Sequence, residues 1–170
     1  RAYNNNAYAT GKQVMSIGSD AILVANATGA GGTATGVKLV NGANGGYWSP
    51  SLALASQDFA LGGGSSVSAT AGSYAVGIFA DNSSWNNGGN AQATQTVDIN
   101  GTALDPVTIT ATASGVGSTA YGLALYNSMV SETDDGSAAT QTVGLDNTNV
   151  SATADAWTLA VLADNYTHGH

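Results

Sequence analysis

Cysteine is absent from the 170 residues, so the chain has no disulfide framework, no thiol nucleophile and no thiolate metal site. Charge is scarce: 8% of residues are Asp, Glu, Lys or Arg, against about 25% in an ordinary soluble protein. Eleven acids face only three bases, and the formal net charge of −8 repels nucleic acid and anionic membrane surfaces. Nucleic-acid binding is thereby excluded, and trypsin has few places to cut. No apolar run approaches the roughly 18 residues that a membrane helix needs, so the sequence offers nothing for membrane insertion. The only histidines, His168 and His170, stand in the last three residues, where a frayed end is expected, and leave Ser-His-Asp and Cys-His arrangements without a base. No helical period of ten or more residues is found. The two prolines, Pro50 and Pro106, each precede a predicted strand, where a missing N–H costs little.

Ala, Gly, Ser, Thr and Asn take the place of the missing charges, and 43% of residues are apolar, enough for one domain with a buried core. This is the composition of an exported surface or fibre protein. The chain opens at Arg1 with no signal-peptide pattern, and the expectation is a mature extracellular product whose export signal has been removed.

Internal repetition organises the rest. Val67–Asn82 (VSATAGSYAVGIFADN) returns as Val150–Asn165 (VSATADAWTLAVLADN) with 8 of 16 positions identical. A longer version, Leu23–Asn41 (LVANATGAGGTATGVKLVN), returns as Ile109–Asn127 (ITATASGVGSTAYGLALYN) with 9 of 19 identical. The starts lie 44, 42 and 41 residues apart, and such a period predicts stacked units. Each unit alternates with period two and reads as two strands joined at a Gly-Ser turn. With a two-residue hairpin at Gly72-Ser73, Val67, Ala69, Ala71, Tyr74, Val76 and Ile78 share a buried face, as do Val150, Ala152, Ala154, Trp157, Leu159 and Val161. Ser68/Thr70, Thr110/Thr112 and Ser151/Thr153 then form hydroxyl rows toward water.

A further strand precedes every hairpin: Lys12–Gly18, Ser56–Leu61, Ala93–Ile99 and Ala139–Leu145. The prediction is an all-β β-solenoid of four roughly 42-residue repeats over residues 12–170, with 1–11 as an N-terminal arm or exchanged strand. The alternative is an antiparallel β-sandwich of pilin type that donates residues 1–11 to a neighbour. Two amides keep their place in each repeat. Gln13, Gln57, Gln95 and Gln141 lie 9 to 14 residues ahead of the hairpin, and Asn41, Asn82, Asn127 and Asn165 close it. Stacked at about 4.8 Å, identical amides form ladders; the plainer reading is that Asn suits a turn. Residues 41–50, 82–90 and 127–137 differ in sequence, are rich in turn formers and read as surface loops.

The cadence at 110–128, TATASGVGSTAYGLALYNS, resembles the β-solenoid repeats of bacterial autotransporter passengers and related adhesin-type surface proteins. The Gln and Asn rows are similar in kind to those of curli-type functional amyloid repeats. The resemblance implies a surface or extracellular location and a structural or adhesive role, with biofilm as one setting.

Other candidates for chemistry are thin. Glu132, Asp134 and Asp135 cluster, and Asp81 and Asp164 are equivalent, but a Ca²⁺ loop spacing is missing and solvated turn acids suffice. No cofactor is implied, and the chain does not read as an enzyme. Gly29–Gly32 and Gly62–Gly64 lack the following Lys-Ser/Thr of a phosphate loop and read as turns. Tyr47, Trp48 and Trp85 fall in the predicted loops, where rings can stack on surface glycans or on another subunit. Asn26, Asn82, Asn100, Asn149 and Asn165 each open an Asn-x-Ser/Thr sequon. The buried pattern runs to 161–163 with no strong cap. The leading expectation is therefore a secreted subunit that polymerises with copies of itself. An adhesive rod and an ice-binding hydroxyl face are the alternatives.

Overall fold

The computed structural model describes residues 2–3, 8–46, 51–132 and 137–169. Among them are thirteen strands and no helix. The chain begins with β1 (Ala2–Tyr3) and continues as β2 (Tyr8–Ile17), β3 (Ile22–Ala27) and β4 (Thr33–Asn44). It goes on through β5 (Ser51–Gly62), β6 (Ser66–Ala71), β7 (Tyr74–Asn86), β8 (Gly89–Asn100), β9 (Val107–Ala113) and β10 (Thr119–Ser131). It ends with β11 (Ala138–Asp146), β12 (Thr148–Thr153) and β13 (Trp157–Gly169).

Three sheets result. Sheet I has the order β2-β5-β8-β11, sheet II β3-β6-β9-β12, and sheet III β1-β4-β7-β10-β13. The chain thus visits sheets I, II and III in a fixed cycle, and each strand lies beside its counterpart from the cycle before and after. Every pairing is parallel. This all-β architecture of stacked parallel sheets fits a β-solenoid and rules out the antiparallel sandwich.

The period-two segments are strands, but not hairpins. β6 and β7 belong to different sheets, and Gly72-Ser73 is the corner between them. Gly72 does not have the positive φ that a two-residue hairpin would demand at a turn glycine. Its glycine is required by stacking: the Gly72 amide donates to Ala27 O at 2.9 Å, and a Cβ would collide with the Gly29 carbonyl of the corner above. Left-handed backbone is used at other corners, at Gly31 (φ 74), Gly64 (φ 71) and Gly117 (φ 73), and at Asp20 (φ 60) and Asn147 (φ 42), residue types that tolerate it.

The predicted buried face also changes partway. Along β7 the burial phase slips at Gly77, which is skipped in the register: Val76 pairs with Tyr121 and Ile78 with Leu123. Ala75 and Gly77 face inward ahead of the slip, and Ile78, Ala80, Asn82, Ser84 and Asn86 after it. Tyr74 and Val76 therefore lie on the outer face, with Val76 covered between Thr35 and Tyr121. In the last cycle Trp157, in the outer column of Tyr74 and Thr119, is 57% exposed, and the inward Val161, in the column of Ile78 and Leu123, is 38% exposed because no further strand lies beyond β13 among the described residues. His168 is not frayed; its ring stacks on Tyr166 with centroids 6.2 Å apart. His170 lies outside the described residues.

Strand extents shift likewise. β2 begins at Tyr8, so the boundary of the predicted arm at Gly11 falls inside a strand paired with β5. The segments after Asn41, Asn82 and Asn127 are not loops at their start, since β4, β7 and β10 run on to Asn44, Asn86 and Ser131.

The interior is graded in side-chain size. Phe59, Leu61, Val67, Ile78, Ile99, Ile109 and Leu123 fill the middle. Toward the corner of sheets II and III the filling narrows to Ala69, Ala71, Ala75, Ala111 and Ala120, and toward the junction of sheets III and I to alanines such as Ala53, Ala55, Ala91 and Ala93. Met129 joins the alanines between sheets III and I, whereas at the all-alanine corner of sheets II and III larger residues would force the sheets apart. At Gly77 an added Cβ would stand 2.6 Å from both Gly122 O and Ile109 Cγ2, whereas at Gly18 nothing lies within 4 Å. Gly77→Ala is expected to destabilise the fold by about 1–3 kcal/mol, and Gly18→Ala to leave it unchanged or stabilised by about 0.5 kcal/mol, both read from urea midpoints.

Candidate assembly interface

The four Asn residues occupy one inward column of sheet III, in register from β4 to β13. Asn41 Nδ2 donates to Asn82 Oδ1, Asn82 Nδ2 to Asn127 Oδ1, and Asn127 Nδ2 to Asn165 Oδ1, each at 2.8 Å. Each Nδ2 also reaches backbone carbonyls of sheet I: Asn41 to Gly11 and Ser56, Asn82 to Ala55 and Thr94, Asn127 to Ala93 and Thr140. Asn165 Nδ2 donates to Ala139 O alone. Only an NH₂ group can donate to a carbonyl, so these contacts fix which way every amide points.

The Gln column runs through sheet I with the opposite sense. Gln57 Nε2 donates to Gln13 Oε1, Gln95 Nε2 to Gln57 Oε1 (both 2.8 Å), and Gln141 Nε2 to Gln95 Oε1 (2.7 Å). Sheet III carbonyls hold them as well, Asp81 O for Gln57 and Tyr126 O for Gln95. Asn donors thus point toward the β13 end of the stack and Gln donors toward the β2 end. Gln57, Gln95 and Asn82 are wholly buried, and no described buried side-chain polar atom lacks a partner. Ser51, Ser84, Asn86 and Ser131 extend this lining: Ser51 Oγ donates to Asn86 Oδ1, Ser84 Oγ to Ala53 O and Ser131 Oγ to Gly89 O, each at 2.8 Å. The sequence carried that signal in the period-two run Asn82, Ser84, Asn86, which reads as a loop when turn chemistry is given priority.

The two ends of the stack differ from its middle. β2 and β3 at one end and β11, β12 and β13 at the other have a neighbour on one side only. Core columns reach these ends half-covered, as Met15, Ile17 and Leu23 at one and Val143 and Val150 at the other. At the first end β1 pairs with Ala43 and Asn44 of β4, and no other described strand lies along that edge, whose inward residues Val37, Leu39 and Asn41 are nonetheless buried.

The outer face of sheet III gathers aromatics that the sequence scatters. Tyr74 lies 5.8 Å from Tyr121 and Phe79 5.7 Å from Tyr126, centroid to centroid, with Lys38 Nζ 5.7 Å from the Phe79 ring. Phe79, Asp81, Tyr126, Ser128, Asp164 and Tyr166 border a shallow cleft of about 450 Å³. Trp85 also lies on this face, within β7 rather than in a loop, and is 36% exposed. Tyr47, Trp48, Asp134 and Asp135 are outside the described residues. The hydroxyl rows of sheet II are in register but begin at Val24 and Asn26. Of the sequons, Asn82 is wholly buried and closed to a glycosyl transferase in the folded state.

Comparison with protein-family models, with curated proteins and with solved structures yields no match for this chain.

Two outcomes follow from the buried amides and the tyrosines. Asn82→Asp places a carboxylate where Nδ2 faced Asn127 Oδ1, Ala55 O and Thr94 O, and burial pushes that carboxyl above the unfolded Asp value of about 3.9. A raised folded value means stability is retained at low pH and lost as pH rises, so the variant should lose roughly 2–5 kcal/mol against wild type at pH 7 and much less at pH 4, by urea unfolding at each pH. Burial, then Tyr121, Asp164 and Asp81 raise the Tyr126 phenol above its ordinary 10.0, and burial with Tyr121 and Tyr126 raises that of Tyr74. Stability should hold below about pH 10 and fall as pH climbs through the raised values. In ultraviolet titration Tyr126→Phe should remove a late-ionising component, and Asp81→Asn with Asp164→Asn should move it earlier.

Proposed function

We propose that the chain is a secreted structural subunit, a β-solenoid of four roughly 42-residue repeats, that stacks on copies of itself into an extracellular filament or surface fibre. The observation that carries this reading is the contrast between interior and ends. Inside, every buried side-chain polar atom of the described residues is partnered; at the ends β2, β3, β11, β12 and β13 have a described neighbour on one side only. Such edges are templates for another chain, and proteins that stay monomeric blunt them with charge, proline, bulges or covering segments. β11 and β12 carry only Asp146 as a charged residue and no proline, and β3 carries neither. The likeness of the repeat cadence to autotransporter and adhesin-type surface proteins, and of the Gln and Asn rows to curli-type repeats, supports the same extracellular setting, and the mechanism asks for neither a catalytic centre nor a cofactor.

A second reading, an adhesive module for surface glycans, is favoured by the cleft on sheet III. Its rings can stack on sugar faces while Asp81 and Asp164 accept hydroxyl hydrogens.

Negative-stain electron microscopy with light scattering across a concentration series separates them. Assembly predicts unbranched polymers above a threshold concentration. Persistent monomers that retain neutral oligosaccharides in a saturable way, and lose them in Tyr126→Ala, would replace assembly by adhesion.

A further inference from the structure

The two amide ladders are polar, and their unsatisfied ends are complementary. At the β2 end, Asn41 Oδ1 has no donor and Gln13 Nε2 no acceptor among the described residues, since Gln13 only accepts from Gln57 and Asn41 only donates. At the β13 end the reverse holds: Asn165 Nδ2 lacks the amide oxygen and the carbonyl that Asn41, Asn82 and Asn127 each find in the next strand, and Gln141 Oε1 lacks the amide donor that Gln13, Gln57 and Gln95 each receive.

Resting on the assembly reading above, we infer that copies join head to tail, the β11–β13 end of one against the β2–β4 end of the next, with both ladders running unbroken across the joint. The registers fix the seam residue by residue. Lys12, Ser56, Thr94 and Thr140 form one column, as do Asn41, Asn82, Asn127 and Asn165. Continued by one step, Asn165 Nδ2 of one copy donates to Asn41 Oδ1 and the Lys12 carbonyl of the next, while Gln13 Nε2 of that copy donates back to Gln141 Oε1. Head-to-head contact reverses the circuit of the chain through sheets I, II and III, so it cannot continue all three sheets in the parallel register that every described pairing has. The sheet I carbonyls hold the Asn amides, and the sheet III carbonyls the Gln amides, against a flip. A contact between unlike surfaces does not close on itself and propagates as an open filament.

The seam also assigns a consequence to β1. Continuing the columns, Thr167 and His168 of the incoming copy fall beside Ala43 and Asn44, the residues that β1 holds. β1 is thus a short edge cover that must leave those two residues as the next copy seats.

Two experiments test the joint on the full 170-residue chain, whose lack of cysteine permits clean labelling. Val14, Asp58, Thr96 and Thr142 form an outward column, so Val14 and Thr142 of one molecule stand three strand spacings apart, about 14 Å, too far to bridge. Across the joint they become neighbours at about 4.8 Å. Oxidised Val14→Cys/Thr142→Cys should give a ladder of covalent multimers on a denaturing gel, and either single variant only monomer. Gln13→Glu keeps the oxygen that accepts from Gln57 but removes the outgoing donor, so it should keep the wild-type melting temperature while slowing elongation by about tenfold or more. Polymers of the double variant that show no covalent ladder, multimers from Val14→Cys alone, or unchanged elongation in Gln13→Glu would overturn the joint and leave assembly standing. Wild-type chains that stay monomeric at every concentration would overturn both.

Discussion

A carboxamide enclosed between two sheets must find acceptors for two N–H groups and a donor for its oxygen, and that requirement governs this molecule. Asn82, with no exposed surface, meets it by giving to Asn127, Ala55 and Thr94 and receiving from Asn41. Only in-register parallel strands bring identical amides to hydrogen-bonding distance in succession, so the column locks the register of sheet III. The second lone pairs of sheet I carbonyls complete the set and tie the two sheets together. An unpartnered amide at the same place would cost about 1–3 kcal/mol, which penalises any slipped alignment at every rung.

Close approach of sheets I and III is the price of those cross-sheet bonds, and it explains the composition. Small side chains flank the amides, Ala53, Ala55, Ala91 and Ala93, with the unbranched Met129 as the larger apolar residue of the same gap. Where the sheets diverge, Phe59, Leu61, Ile78 and Leu123 take over. Gly77 and its counterparts Gly36 and Gly122 sit where a strand backbone turns onto the Val/Ile column of sheet II, so that Ile109 occupies the space a Cβ would need. The phase slip there follows from the same crowding, since the chain rotates by one residue to present Ile78 rather than Gly77 to the wide part of the core.

Ladders of this kind have direction. Opposed Asn and Gln columns leave one molecule with complementary, rather than equivalent, terminal faces, and the proposed head-to-tail joint rests on that difference. The aromatic face of sheet III runs along the side of the stack and reaches the β13 end through Asp164 and Tyr166.

Much of this was already legible in the residues. Alternation marked the strands, the recurring VSATA and A-x-G-x-x-L segments marked equivalent positions, and Gln13, Gln57, Gln95, Gln141 and the four Asn residues stood out because they return at nearly fixed distances. Period two, however, tells which way a side chain points and not which strand lies beside it. Val67–Asn82 therefore reads equally well as a hairpin or as two walls meeting at Gly72, and only the stacking of Gly72 against Gly29 decides for the corner. Asn and Ser after the amide column look like loop residues until the backbone carbonyls they face are known, and the cleft of Phe79, Tyr126 and Tyr166 joins residues up to 87 positions apart. Local chemistry determined strand, face and recurrence. Partner, sheet and the sense of each hydrogen-bonded column were decided by tertiary structure, because a hydrogen bond between strands depends on who lies within 3 Å and not on who is next in the chain.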